Sequence, residues 1–398
     1  MRQNEFVALM ALLMSFVALS IDAMLPALGQ IGASLHIADT NDTQMVITSI
    51  FVGMSVGLLI YGPLSDAIGR KRAIFIGLSI YLAGCGLSYF SQSFEVMLMG
   101  RVLQGLGAAS ARVVTLALIR DRFEGDEMGR VMSLIVLVFI MVPALAPLVG
   151  QGILLIGDWR DIFAFMMLLG VLGMTWFAVR LRETLDPNLR RGFSMRNIGA
   201  GMWETLRHPK ARWLTFASGL IFGAFIGYLA SARQILEIQY TLGDNFPYAF
   251  GGLALCIGMA SYVNSRCVQR MGMLRVCTLA LKGLSGLAIC FIGVTMLFEG
   301  HPPFALLMLY LGSTFFCVGL LYGNLNALAV QPLGHIAGVA SSVIAALQTL
   351  VSVILGGIVG VSYNGTVLPL VTGFLIFGVG ALLLTLRVSR LTLAEAHG

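Results

Sequence analysis

The sequence predicts an all-α membrane protein with twelve transmembrane helices arranged in two six-helix halves. Its 398 residues are 58% hydrophobic and only 11% charged, whereas soluble proteins carry about 25% charged residues. The mean hydropathy is +0.90. Apolar runs of about 20 residues, the length that crosses a bilayer as a helix, recur along the whole chain. These observations favour a polytopic membrane protein over a soluble globular one.

Twelve apolar runs are separated by polar segments, and the widest polar segment follows the sixth run. We therefore predict a six-helix bundle at 1–182, a cytoplasmic linker at 183–212 and a second six-helix bundle at 213–398. The first run is longer than the apolar part of a signal peptide, so it is interpreted as a retained helix. The predicted spans are 6–28, 44–62, 73–91, 94–117, 129–155, 161–181, 213–236, 246–265, 276–298, 304–326, 337–361 and 366–387.

Basic residues predict the orientation, because loops that stay in the cytoplasm are enriched in Lys and Arg. With the N-terminus inside, most of the 25 basic residues fall in inner segments, and the outer loops hold only Arg160. Both termini are therefore expected to be cytoplasmic. Topology then explains the net charge of +6, so we expect no nucleic-acid partner. The six cysteines lack the short paired spacing of a zinc site, and we expect no metal.

The loop between spans 2 and 3 reads GPLSDAIGRKR (62–72). An ordinary inner loop between helices could also contain Gly-Pro, a turn glycine and basic residues. The stretch resembles the G-x-L-x-D-x-x-G-R-K/R loop of the major facilitator superfamily, which implies a twelve-helix transporter fold. The residues that match are Gly62, Leu64, Asp66, Gly69, Arg70 and Lys71.

This loop could act as a gate. Asp66 could pair with a Lys or Arg of a neighbouring segment and hold the cytoplasmic face closed. The gating residues are then Gly62, Asp66, Gly69, Arg70 and Lys71. The corresponding point of the second half reads SRCVQRMGMLR (265–275), where Gln269 replaces the acid. The second loop is therefore expected to lack the charge of the first.

Spans 4 and 5 narrow the resemblance. GRVLQGLGAASARVV (100–114) is similar to the R-x-x-Q-G-x-G-A-A pattern of drug:proton antiporters, and MVPALAPLVGQG (141–152) to their proline-containing antiporter motif through Pro143, Pro147 and Gly150. Ala146 and Gln151 stand where that motif has glycine. With SIDAMLPAL in span 1, the whole chain resembles the bicyclomycin and chloramphenicol resistance (Bcr/CflA) subgroup of bacterial multidrug exporters.

Asp22 is the acid well inside a predicted span, where a carboxylate costs about 2.5–3.5 kcal/mol. Helix rise places Asp22 and Arg101 at similar heights in the outer half of the membrane, so each could offset the desolvation of the other. Arg101, Gln104 and Arg112 share one face of span 4, which we expect to line the central cavity. Structural pairing of Asp22, helix anchoring by Arg101 and snorkelling by Arg112 are the alternatives.

The sequence thus predicts proton-coupled export of small hydrophobic drugs across a bacterial inner membrane. Asp22 and Arg101 would carry proton coupling, and Asp22, Gln104 and Arg112 would face the substrate. The expected partners are drug, protons and lipid, for a monomer that is driven by the proton gradient and needs no cofactor. Uptake of a metabolite is the rival within transport. An enzyme or receptor is disfavoured, because zinc-protease, nucleophile-turn and phosphate-loop motifs are missing and no extramembrane domain is visible.

Overall fold

The computed structural model describes residues 3–123, 125–186, 188, 190 and 192–397. These residues are almost entirely helical, and none of them lies in a β-strand. The all-α prediction is therefore confirmed. The chain divides by its internal contacts into two units, Met1–Ile198 and Gly199–Gly398. The division falls inside the range predicted for the linker, and the cytoplasmic position of that linker stays a prediction.

The first unit begins with α1, which a short 3₁₀ turn at Leu25–Ala27 separates from α2, and ends at the first residues of α8. The sequence analysis predicted a linker at 183–212 and did not predict the helix α8 within it. The helices are α1 (Gln3–Asp22), α2 (Leu28–Ser34), α3 (Met45–Ile68), α4 (Arg70–Tyr89), α5 (Phe94–Arg122), α6 (Gly125–Leu154), α7 (Trp159–Arg180) and α8 (Met195–Arg207).

The second unit contains six long helices. α9 continues into a π-helical turn at Gln234–Gln239, and a 3₁₀ segment at Gln331–Ile336 joins α12 to α13. The helices are α9 (Pro209–Arg233), α10 (Phe246–Met271), α11 (Met273–Leu297), α12 (Phe304–Val330), α13 (Ala337–Val361) and α14 (Leu368–His397).

Each of the twelve predicted spans coincides with a helix. Within the described residues, 10 helical stretches are long and apolar enough to cross a membrane. Two predicted spans fall in one of them, Phe304–Val361, because the 3₁₀ segment leaves no gap between α12 and α13. The fifth predicted span corresponds to α6, whose described apolar part is Met141–Leu154. The orientation of the termini stays a prediction.

Close packing of two helices in the first unit fixes the position of α5 along α3. A Cβ atom added at Gly105 of α5 would lie 1.8 Å from the carbonyl oxygen of Ile50 in α3. A Cβ at Gly53 of α3 would lie 1.8 Å from the carbonyl oxygen of Val102. Small residues at such contacts let two backbones approach, which is how helices associate in a membrane. This packing holds Arg101 and Gln104 in register with α3.

Candidate functional site

Asp22 is the last residue of α1. The span predicted at 6–28 lies within one apolar helical stretch, Gln3–Ser34, which a 3₁₀ turn at Leu25–Ala27 interrupts. Pro26 has no N–H with which to bond the carbonyl of Asp22 four residues earlier, so the helix ends there. The Asp22 side chain is 5% exposed. Among the described residues, its carboxylate has no hydrogen-bond donor and no salt-bridge partner.

Helix α6 contacts the chain directly after Asp22. A Cβ atom added at Gly150 would lie 2.1 Å from the carbonyl oxygen of Ala23. Gly150 therefore lets the α6 backbone rest against the end of α1. Pro143 and Pro147 lie inside α6, about two turns and one turn before Gly150. Of the three residues predicted for the antiporter helix, the structure places Gly150 in contact with the segment that carries the acid.

Arg101 is fully buried and binds the ends of two other helices. Its Nε donates to the carbonyl of Val46 in α3 at 2.9 Å. One terminal nitrogen donates to the carbonyl of Ser20 in α1 at 2.6 Å, and the other to Oε1 of Gln104 at 2.5 Å. Because α1 ends at Asp22, the Ser20 carbonyl has no partner within the helix, and Arg101 supplies one. A cation at this place also suits the negative end of the α1 dipole.

The structure therefore differs from the expected ion pair between Asp22 and Arg101. Arg101 lies beside the end of α1, but its bonds go to backbone carbonyls and to Gln104 rather than to the carboxylate. Residue types and helix rise placed the two residues near one another. They did not indicate that the carbonyl acceptors at the end of α1, rather than the carboxylate, would bind Arg101.

Gln104 also differs from its expected position at a cavity. Its side chain is fully buried in the first unit, and its Nε2 lies 3.1 Å from Sγ of Cys85 in α4 and 3.3 Å from Sδ of Met166 in α7. The amide oxygen accepts from Arg101, so contacts among α4, α5 and α7 use both ends of the amide. Gln104 therefore supports Arg101 and lies inside the bundle.

Two residues that the sequence analysis did not select complete the cluster. The hydroxyl of Ser20 lies 2.9 Å from the hydroxyl of Tyr81 in α4 and donates to the carbonyl of Phe16. Both side chains are buried.

Arg112, the third predicted cavity residue, lies eleven residues beyond Arg101, or about 16 Å along α5. It is half-buried and does not belong to this cluster, and its place in a substrate cavity stays a prediction.

The loop predicted as a gate is organised around Arg70. α3 ends at Ile68, Gly69 adopts a φ of +98°, and α4 begins at Arg70. The Arg70 guanidinium binds Asp66 of α3 and Oδ2 of Asp121 in α5, the latter at 3.0 Å. It also donates to Oγ of Ser65, which in turn donates to the carbonyl of Gly62.

Glu183, which follows α7, fastens the start of α4. Its two carboxylate oxygens accept from the backbone amides of Arg70 and Lys71 at 2.9 and 3.1 Å. The Lys71 ammonium donates to the carbonyls of Ala178 and Leu181, at 2.8 and 2.7 Å. A carboxylate is favourable here because the first amides of a helix lack acceptors and carry the positive end of its dipole.

All five predicted gating residues thus belong to one connected loop. The expected pairing was between Asp66 and a cation of a neighbouring segment. In the structure Asp66 pairs with Arg70 across its own loop, and neighbouring segments contribute the acids Asp121 and Glu183. The sequence analysis missed both acids because they lie 51 and 113 residues from Arg70.

An aromatic cluster on α9 and α12 was also missed. The ring centroids of Phe222 and Phe225 are 6.0 Å apart, and the ring of Tyr322 lies 5.6 Å from that of Phe222. These three rings are half-buried, whereas Phe315, which packs against Phe225 at 5.5 Å, is buried. The cluster therefore leaves aromatic surface partly open in the second unit. The three-residue spacing of Phe222 and Phe225 on α9 could have indicated their contact. It could not have indicated the contact with Tyr322 of α12.

The family model of the Major Facilitator Superfamily matches residues 9–357 of this chain. The chain belongs to the major facilitator superfamily. It is therefore a multi-pass membrane transporter of small molecules, as the sequence resemblance implied.

Curated relatives of this superfamily protein match over most of its length. An MFS-type transporter of Bacillus subtilis, YdgK, whose function is uncharacterized, is 27% identical over 86% of this chain and 85% of its own. A bicyclomycin resistance protein homolog of Haemophilus influenzae is 28% identical over 92% and 91%. The multidrug resistance protein MdtL of Salmonella paratyphi B is 28% identical over 89% and 88%.

A solved structure shows the same fold. The xylose transporter XylE from E. coli, in a partially occluded inward-open conformation, matches with a TM-score of 0.73. The match covers 98% of this chain and 97% of XylE, at 13% sequence identity. The likeness extends over both units and concerns the fold alone.

Proposed function

We propose that this transporter exports small hydrophobic drugs across a bacterial inner membrane in exchange for protons. The observation that carries the proposal is the Asp22 carboxylate, buried at the end of α1. Asp22 is the one acid among the buried polar residues of the described chain. Ionisable groups at such positions are costly and characteristically belong to ion or proton pathways.

The other acids near span ends have partners or are exposed. Glu5 forms an ion pair with Arg180, and Glu237 with Arg233, while Glu95 lies exposed in the first turn of α5. Asp22 is therefore the candidate for a group that gains and loses a proton during transport. A carboxylate that is neutral when buried and ionised when open to water would couple a proton to each cycle.

Arg101 would then act as a positioning residue. It holds the backbone at Ser20, two residues before Asp22, and so fixes where the carboxylate lies. Its positive charge next to this helix end would also stabilise Asp22 whenever that carboxylate is ionised. The proposal thus keeps the predicted roles of Asp22 and Arg101 but assigns Arg101 to the helix end rather than to a direct ion pair.

Relatives and side chains support the cargo and the direction. The named relatives include a bicyclomycin resistance protein homolog and a multidrug resistance protein. The half-buried rings of Phe222, Phe225 and Tyr322 offer a polarizable surface suited to apolar and aromatic drugs. In the proposed orientation the basic segments face the cytoplasm, and both termini would lie there as well. Because both six-helix halves lie on one chain, we propose that it works as a monomer, driven by the proton gradient without a cofactor.

The decisive experiment compares wild type with Asp22→Asn in vesicles that carry an imposed proton gradient, with labelled chloramphenicol and bicyclomycin as first probes. Wild type should accumulate drug uphill, and Asp22→Asn should carry it only down its own gradient. Glu95→Gln, which removes an exposed acid, is the matched control and should behave as wild type. Uphill transport by Asp22→Asn would remove Asp22 as the proton carrier.

A second experiment separates export from uptake. Expression in an efflux-deficient bacterium should lower its susceptibility to at least one hydrophobic antibiotic. Unchanged or increased susceptibility across a broad drug panel would favour uptake of a metabolite instead.

A further inference from the structure

The two units repeat one backbone turn. α3 and α4 meet at Gly69, with φ of +98° and ψ of 155°, and α10 and α11 meet at Gly272, with φ of 78° and ψ of 154°. Aligned on these glycines, the amides of Met273 and Leu274 correspond to those of Arg70 and Lys71. The second loop thus presents the same helix start as the first.

The two loops differ in what lies against that helix start. In the first unit, the carboxylate of Glu183 accepts from both amides. In the second unit, the start of α11 opens into a cavity of about 960 Å³ whose lining includes Met273 and Leu274. No Asp or Glu is among its lining residues. The place of the anionic group in the first loop is therefore a cavity in the second.

The cavity is strongly basic. Lys210 of α9 and both Arg275 and Lys282 of α11 line it, together with the hydroxyl-bearing Thr278 and Ser389. Arg275 and Lys282 are exposed, and within the described part of the chain neither forms a salt bridge. Three cations and a helix start are suited to one anionic group that can accept several hydrogen bonds.

The rest of the cavity indicates a lipid. Its walls include Leu214, Leu279 and Leu328, which suit acyl chains. Lys282 lies about 14 Å along α11 from Met273, within the span. Side chains on a helix point toward its N-terminus, so Lys282 reaches back toward the basic end of the cavity.

A neighbouring tryptophan is consistent with a position of the cavity at the level of lipid headgroups. Trp213 directly precedes the lining residue Leu214, and the guanidinium of Arg387 lies 4.9 Å from its ring centroid. Tryptophan and arginine together are typical of the level of lipid headgroups. The cavity thus combines basic residues and a helix start with apolar walls, next to a tryptophan and an arginine of the kind found at the level of lipid headgroups.

We propose that this cavity binds one anionic phospholipid, with its phosphate at the start of α11 beside Lys210 and Arg275 and with Lys282 farther along the same wall. The lipid phosphate would take the place that the carboxylate of Glu183 has in the first unit. The inference concerns the membrane partner of this fold and is independent of the proposed cargo and of proton coupling.

Native mass spectrometry of the purified full chain tests the proposal. Phosphatidylglycerol and phosphatidylcholine with identical acyl chains are offered at equal concentration, and the lipid that stays bound is counted. Wild type should retain phosphatidylglycerol preferentially. Each basic residue near an anionic lipid contributes roughly a fivefold preference, so Arg275→Gln/Lys282→Gln should lose roughly 25-fold.

Two further variants make the result specific. Arg266→Gln/Arg270→Gln removes the same charge from α10 residues that do not line the cavity, and should keep the wild-type preference within about twofold. Gln331→Glu adds one negative charge inside the cavity with almost unchanged volume, and should weaken phosphatidylglycerol retention while the thermal midpoint stays near that of wild type.

Three outcomes would overturn the lipid site. The first is equal retention of the two lipids by wild type, and the second is an unchanged preference in Arg275→Gln/Lys282→Gln. The third is an equal loss in the α10 control, which would indicate general surface charge. Inorganic phosphate is tested separately: if millimolar phosphate stabilises wild type while no lipid preference exists, the site takes a free anion and the lipid assignment is wrong.

Discussion

A terminal nitrogen of Arg101 donates to the carbonyl oxygen of Ser20 at 2.6 Å, two residues before the buried carboxylate of Asp22. This bond joins α5 to the end of α1. It also satisfies a carbonyl that the helix leaves without a partner, since α1 stops at Asp22. The position of the acid therefore depends on a cation that binds the backbone rather than the acid itself.

Arg101→Lys should destabilise the protein although the charge is kept. A lysine ammonium lacks the planar fork that reaches Val46, Ser20 and Gln104 at once. Each lost hydrogen bond to a charged group costs about 1.5–3 kcal/mol. Thermal unfolding in detergent should show a clearly lower midpoint for Arg101→Lys and nearly the wild-type midpoint for Arg112→Lys. Equal midpoints for the two variants would contradict the role assigned to Arg101.

Gly150→Ala should separate α6 from the end of α1. The new methyl group would lie 2.1 Å from the backbone oxygen of Ala23, and a backbone atom cannot move aside cheaply. Overpacking of this kind costs about 1–3 kcal/mol. Gly152→Ala is the control in the same helix, because a Cβ there meets nothing within 4 Å. The idea fails if the two variants have the same unfolding midpoint and the same transport rate.

Glu183→Gln should loosen the start of α4 without unfolding the bundle. The neutral amide accepts more weakly from the amides of Arg70 and Lys71 and no longer complements the helix dipole. Hydrogen exchange measured by mass spectrometry should become several-fold faster in the peptide that contains these two amides. Glu204→Gln, which removes an exposed partner of His335, should leave that peptide unchanged. Unchanged exchange in Glu183→Gln would show that the carboxylate does not fasten α4.

Asp121→Asn should cost more stability than Asp66→Asn. Both acids bind Arg70, but the Asp121 side chain is 19% exposed and the Asp66 side chain 43%. Exposed ion pairs contribute about 0–1 kcal/mol, so Asp66→Asn should unfold almost as wild type does. If the loop gates transport, Asp66→Asn should nevertheless lower the transport rate. Comparison of unfolding midpoints and transport rates for both variants measures the two roles separately.

Hydropathy alone predicted the twelve spans, because a membrane-crossing helix must satisfy its backbone internally and present apolar side chains. The break after Asp22 was also predictable in principle, since Pro26 removes the amide that the Asp22 carbonyl requires. The partners of Arg101 and Arg70 were not predictable from the sequence. Two of the Arg101 acceptors are backbone carbonyls, which no residue type marks, and Asp121 and Glu183 reach Arg70 only through the packing of α5 and α7.

The break in the first span has a mechanical consequence. On one side of it, Arg101 holds α1 through Ser20, and on the other side Gly150 rests against Ala23. The segment at Met24–Ala27 has few helical hydrogen bonds to lose. α2 can therefore swing about this joint while α1 stays clamped. Such a swing would cover or uncover the Asp22 side chain while the helix that carries it keeps its position.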